Sequence, residues 1–199
     1  MVSRAMGAPA AEVLAALPAW AVVTPRRVEH IAGVAGLLGR WAGERGTDAA
    51  EADRWRRAAL LHDALRDAPV GILARWGPAP AGWPRSVWHG PAAAAAAAAH
   101  GESDRGVLEA VRYHSLGHAG WNDVGRMLYL ADALEPARRH ERARLDALAA
   151  RAARESDAVL REVTALKLGW LLREGRAIAG ETWEFWNSLA ANASSPSGS

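Results

Sequence analysis

Cysteine is absent from this chain of 199 residues, so disulfides and thiolate metal sites are excluded and any metal must rest on nitrogen and oxygen ligands. The absence also fits a reducing cytoplasm, which is the expected location. Lysine occurs once, at Lys167, so nearly all of the 24 basic residues are arginines, and they are spread along the chain rather than gathered in a block. With a formal net charge of only +2, no nucleic-acid surface is expected. No run approaches the roughly eighteen continuous apolar residues of a membrane span, and no membrane association is expected. The N-terminal stretch carries Glu12 within its apolar part and shows no clear cleavage site, which argues against a secretory leader. Also missing is any alternation of β-branched and polar residues long enough for a strand. The expected fold class is all-α.

What is present is helical pattern and its punctuation. Thr24-Pro25 opens a helix whose apolar face runs through Val28, Ile31, Val34, Leu38 and Trp41. Asp48 with Glu51 reads as a capping arrangement before a helix reaching His62. Residues 68–90 are rich in proline and tryptophan and read as a long loop with a short helix at GILARW. Asp104 and Asn122 read as N-caps of two further helices, the second ending near Pro136, and a last pair spans roughly 140–155 and 156–174. One globular unit of eight or so helices over residues 24–190 is expected. Residues 1–23 would form a helical extension broken by Pro18, and residues 191–199 a disordered tail.

The stretch WHGPAAAAAAAAH, Trp88 to His100, holds eight successive alanines between two histidines. Alanine combines the best helix propensity with the smallest side chain, so the tract is expected to pack closely against its neighbours, with chemistry only at its N-terminal end. His100 lies about 16 Å further along such a helix and is expected to cap its C-terminal end.

Other polar residues fall on apolar faces. His30 shares a helical face with Val34, Leu37 and Trp41, and alone it reads as a core histidine satisfied by a carbonyl. His62-Asp63 sits at the edge of AALLHDALRD, where a buried carboxylate is expensive unless a cation lies beside it. His89 opens the alanine helix, His114 follows Val107 and Val111 on an inward face, and Asp132 interrupts the apolar MLYLADALEP. Asp132 reads equally as the partner of a buried arginine. Taken together, five elements supply His, His-Asp, His, His and Asp. Imidazole with carboxylate suits iron, manganese or zinc, and six such ligands are too many for one ion with an open position. Two metal ions bridged by Asp63 is the economical arrangement.

The pieces R-V-E-H (Arg27 to His30), A-A-L-L-H-D (Ala58 to Asp63), W-H-G-P-A (Trp88 to Ala92), V-R-Y-H-S (Val111 to Ser115) and Y-L-A-D-A-L-E-P-A-R (Tyr129 to Arg138) stand in the order H...HD...H...H...D. In this the chain resembles the HD-domain metallophosphohydrolases, and within them the YqeK-type symmetrical diadenosine tetraphosphate hydrolases. The likeness spans about residues 24–190. A late T-W-E-F-W-N, Thr182 to Asn187, is similar to the family's closing motif of Thr and then Tyr-Asn.

The resemblance implies an HD-domain helical bundle around a di-iron centre, with manganese or another divalent ion as the substitute. The implied ligands are His30, His62, Asp63, His89, His114 and Asp132, with Asp63 as the bridge. It implies a dinucleoside polyphosphate as substrate, cut symmetrically into two nucleoside diphosphates, and a homodimer as the assembly. Arg27, Arg66 and Arg138 are the arginines expected to hold the polyphosphate, together with the hydroxyl of Ser115. Arg66 stands where the family usually has lysine and Ser115 where it has threonine. His118, in SLGHAGW, is a candidate to touch phosphate or to protonate the leaving group, and otherwise reads as an exposed loop residue. Trp76 and Trp83, in the loop before the site, are candidates to stack on adenine, or else simply to pack. Rival readings are another HD phosphohydrolase acting on a nucleotide monophosphate, a cyclic nucleotide or an alarmone, and a nucleotide-binding protein without turnover.

Overall fold

The computed structural model describes residues 10–77, 81–135 and 142–194, and no strand occurs among them. The helices are α1 (Ala10–Ala16), α2 (Pro25–Arg45), α3 (Ala49–Leu61), α4 (Val70–Leu73), α5 (His89–Ala99), α6 (Arg105–Tyr113), α7 (Asp123–Leu134), α8 (Arg142–Arg151), α9 (Ser156–Arg173) and α10 (Gly180–Ser194). The GILARW segment supplies α4 and a 3-10 turn at Ala74–Trp76. Helix α10 runs four residues past the boundary expected at 190.

Most of the helix starts are where the caps put them. The Thr24 hydroxyl accepts the Arg27 amide at 3.4 Å and itself donates to Asp67 Oδ2 at 2.8 Å, which ties the start of α2 to the turn after α3. Asp48 caps α3 through the Glu51 amide at 2.9 Å. The Glu51 side chain does not complete a capping box; it takes the Trp55 indole N–H at 2.9 Å and Arg54 instead. Asp104 caps α6 through the Val107 amide at 3.1 Å while a fork from Arg54 holds it at 2.7 and 3.0 Å. Asn122 stands at the N-cap of α7 but its side chain makes no capping bond, contrary to expectation.

One apolar cluster draws residues from Val34 on α2 to Leu189 on α10, with Trp41, Trp55, Leu128, Leu130 and Leu160 wholly enclosed. A smaller one, around Val13, Val28, Ile31 and Leu60, seats α1 on α2 and α3. Helix α5 is buried nearly all round, and Ala93 and Ala96 have no exposed surface. A helix that touches neighbours on every side has no room for long side chains, and added methylenes in such a place cost about 1–3 kcal/mol. His100 closes it as expected, its Nδ1–H donating to the Ala96 carbonyl at 2.8 Å.

Candidate metal centre

The ends and inward faces of α2, α3, α5, α6 and α7 converge on one point. His30 comes from the middle of α2, His62 and Asp63 from the turn that ends α3, His89 from the first residue of α5, His114 from the residue after α6, and Asp132 from the last turn of α7. His62, Asp63, His89 and His114 are all buried.

Their ligand atoms fall into two groups that could each hold an ion, His30 with His62 and Asp132, and Asp63 with His89 and His114. Asp63 divides itself between them. Its Oδ1 lies 3.0 Å from His89 Nε2 and 3.5 Å from His114 Nε2, while its Oδ2 lies 3.6 Å from His30 Nε2 and 3.7 Å from His62 Nε2. One carboxylate thus turns one oxygen to the His89 and His114 rings and the other to the His30 and His62 rings, and a matching family model spans residues 27–161 under the description HD domain. The chain belongs to the HD-domain family.

This HD domain is also similar to a solved structure from Clostridium acetobutylicum described as a predicted HD superfamily hydrolase involved in NAD metabolism. The two share 22% identity with a TM-score of 0.70 over 92% of this chain and 96% of that one, a likeness of fold. No curated protein matches the chain. Family membership carries the broad class of hydrolase; the substrate is a separate question.

The donor chemistry of the HD domain fits metal ions. A carbonyl can only accept, so the Nδ1 of His62, 2.7 Å from the Ala59 carbonyl, and the Nδ1 of His114, 2.8 Å from the Val111 carbonyl, must each carry the proton. That leaves both Nε2 lone pairs facing the centre, as ligation requires. Burial disfavours the imidazolium of His62 and of His89 and pushes each down to about 4, so both rings are neutral near pH 7. Burial would raise the Asp63 carboxyl, but the surrounding rings, His62 first, hold it well below the usual carboxylate range. His30 differs: burial lowers it, yet bonds to Asp132 and Glu135 outweigh that and raise it to about 9.

Two residues gained roles that sequence reasoning missed. Glu135, buried, places Oε2 3.2 Å from His30 Nδ1 and so orients the ring from behind. Its signal was its position three residues after Asp132, which puts both carboxylates on one side of the end of α7. Gly33 makes room for it, since a Cβ there would overlap Glu135 Oε1. Arg27, expected to hold substrate, places Nη1 2.6 Å from Asp63 Oδ2. It precedes His30 by one helical turn, so the same face carries both to Asp63.

A cleft of about 670 Å³ opens on the centre and is lined by Asp132 from one triad and His114 from the other. Arg66 and Ser115 line it too. The Ser115 hydroxyl lies 2.9 Å from His114 Nε2, and Arg66 reaches the Ser86 carbonyl and lies 3.3 Å from His89 Nδ1. His118 is not brought to either triad; its ring stacks on Tyr113 at 4.5 Å and its Nδ1 accepts the Gly120 amide at 3.2 Å. Trp76 and Trp83 are not in this cleft. Trp76 packs edge-on against His100 at 5.7 Å, and Trp83 is buried, with its indole N–H on Glu181 at 3.0 Å. Arg138 lies outside the described residues.

The closing motif serves the loop after His114. The Thr182 hydroxyl donates to the Leu116 carbonyl at 2.8 Å, and Phe185 fills the space beside Gly117, where a Cβ would overlap its ring. Gly117 also has φ of 95°, a conformation that glycine alone adopts without strain.

Proposed function

We propose that this HD domain is a two-metal phosphohydrolase that cleaves dinucleoside polyphosphates in the middle of the phosphate chain, taking diadenosine tetraphosphate to two ADP. The observation that carries the proposal is Asp63, one oxygen turned to His89 and His114 and the other to His30 and His62, beneath a cleft lined by Asp132 and His114. The pair of cations, iron or manganese, would be held by His30, His62 and Asp132 on one side and by His89 and His114 on the other, with Asp63 shared. When bound, they supply a nucleophile at neutral pH and neutralise charge on the phosphate oxygens.

The chain's own residues do the rest. His62 and His114 are locked in the ligating tautomer by helical carbonyls. Glu135 fixes the His30 ring, and Arg27 holds Asp63 through its Oδ2. Arg66 and Ser115 line the cleft with donors suited to phosphate oxygens, Arg66 as a planar fork. Arg138 is proposed as a further phosphate ligand from its place in the motif. His118 is given no part in the chemistry, because it belongs to neither triad and does not line the cleft.

A product assay tests the reading. Purified protein with ferrous or manganese ions receives diadenosine tetraphosphate, and the nucleotides are separated by chromatography. ADP as the only product, lost on Asp63→Ala, supports symmetrical hydrolysis. ATP with AMP, or no cleavage, overturns it and directs attention to other phosphate esters.

A further inference from the structure

Helix α9 presents Val163, Leu166, Lys167 and Trp170 to the cleft above the metal centre. These positions are spaced by three, four and seven residues and so form one face. The chain's single lysine is on this face. Lys167 Nζ donates to the Ser115 carbonyl, directly beside His114, and lies 5.1 Å from the centre of the Tyr129 ring. Trp170, one turn further from the centre, is 43% exposed, which is unusual for so large an apolar side chain in a cleft wall.

The end of α9 adds a second cation. The Gly175 amide returns to the Leu172 carbonyl at 3.1 Å and the Arg176 amide to the Leu171 carbonyl at 2.9 Å, with Gly175 at φ of 61°. This closing turn folds the chain back and brings the Arg176 guanidinium to 4.9 Å from the centre of the Trp170 indole, inside the same cleft. The order from the metal centre outward is thus a hydroxyl (Ser115), an ammonium (Lys167), then an aromatic plane with a guanidinium on it. A buried phenol completes the wall, Tyr129 being 3% exposed.

The geometry points to a nucleoside-phosphate subsite on α9, in which Lys167 and Arg176 take the phosphates leading away from the metals and Trp170 stacks on the base. The subsite rests on the proposed reading of the centre as a nucleotide hydrolase and names where that substrate's base lies. It replaces Trp76 and Trp83, which packing has removed from the cleft. Stacking on an aromatic ring is tolerant of base identity, so recognition here concerns the presence of a base more than its kind.

The test compares ADP with pyrophosphate, which carries the same phosphoanhydride without a base, by calorimetric titration of the full chain. ADP binds at least about tenfold tighter than pyrophosphate, the scale of one base–aromatic stack. Trp170→Ala removes that preference and leaves pyrophosphate binding unchanged, whereas Arg176→Gln weakens both ligands. Trp183→Ala, at a more exposed tryptophan outside the cleft, changes neither. Equal binding of ADP and pyrophosphate by the parent, or a preference that survives Trp170→Ala, overturns the subsite. The two proposals fail separately: a preference that depends on Trp170 without cleavage of diadenosine tetraphosphate sinks the hydrolase reading alone, and cleavage without that dependence sinks the subsite alone.

Discussion

Replacing Gly90 by alanine puts the close packing of the alanine helix to a quantitative test. A Cβ at Gly90 would lie 2.7 Å from the Arg112 carbonyl oxygen and 3.2 Å from that of Val111, both backbone atoms of α6. Ordinary contact begins near 3.4 Å, so α5 must retreat from α6 by about 0.7 Å (3.4 less 2.7), and no side chain can turn aside to spare it. Overpacking of this kind costs about 1–3 kcal/mol, against at most ~1 kcal/mol returned by alanine's helix preference. For a chain of this length each kcal/mol moves Tm by roughly 2–4 °C, so Gly90→Ala should lower Tm by several degrees. The same retreat separates His89 from His114, whose Nε2 atoms stand 3.0 Å apart. Manganese affinity measured by calorimetry should fall on the order of tenfold, as for other losses of ligand positioning. Gly39→Ala is the matched control: it lies within α2, a Cβ there would meet nothing within 4 Å, and it should stabilise by up to ~1 kcal/mol. If Gly90→Ala melts like the parent and binds manganese as tightly, the argument from close approach of α5 to α6 is wrong.

Gly33→Ala should act on the metal without touching a ligand: the new methyl displaces the Glu135 carboxylate from His30, and metal affinity falls roughly 10–100-fold; an unchanged binding isotherm would refute it. Because His30 is raised to about 9, metal binding at pH 7 should release about one proton, read from titrations in buffers of different ionisation enthalpy, and affinity should rise with pH until about 9; binding independent of pH between 7 and 9 contradicts this. Asp104 is lowered to about 2, chiefly by Arg54. Its contribution to stability is therefore present above its unfolded value near 3.9 and is lost as pH falls through about 2; Asp104→Ala, which also removes the α6 cap, should cost about 0.5–2 kcal/mol at neutral pH, and an equal loss at pH 2 and pH 7 would count against the assignment. His118→Ala should leave kcat within about the same order of magnitude, the usual span for a group outside the proton-transfer path, and a loss approaching that of Asp63→Ala would restore it to the chemistry.

The six proposed ligands were legible because each is a polar residue at an inward or terminal position of a periodic helix, where burial without a partner is expensive. His30 among Val34, Leu37 and Trp41 and Asp132 within MLYLAD are of this kind. The caps at Thr24, Asp48 and Asp104 were equally local, since a capping side chain meets an amide within three residues. The alanine tract announced a crowded helix for the same reason, as propensity and side-chain volume are properties of the residues themselves.

Tertiary structure alone decided how these elements use one another. Arg27 meets Asp63 across 36 residues and Glu135 meets His30 across 105, distances that no local pattern encodes. The tryptophans show the limit most clearly. Trp76 and Trp83 stand in the loop before the site and Trp170 in a helix far along the chain, yet packing encloses Trp83, turns Trp76 onto His100 and leaves Trp170 at the cleft. Local chemistry determined which polar residues would need a partner once buried. Which oxygen of Asp63 faces which triad, and which aromatic faces the cleft, depended on the angles at which whole helices pack, a property set by all their contacts at once.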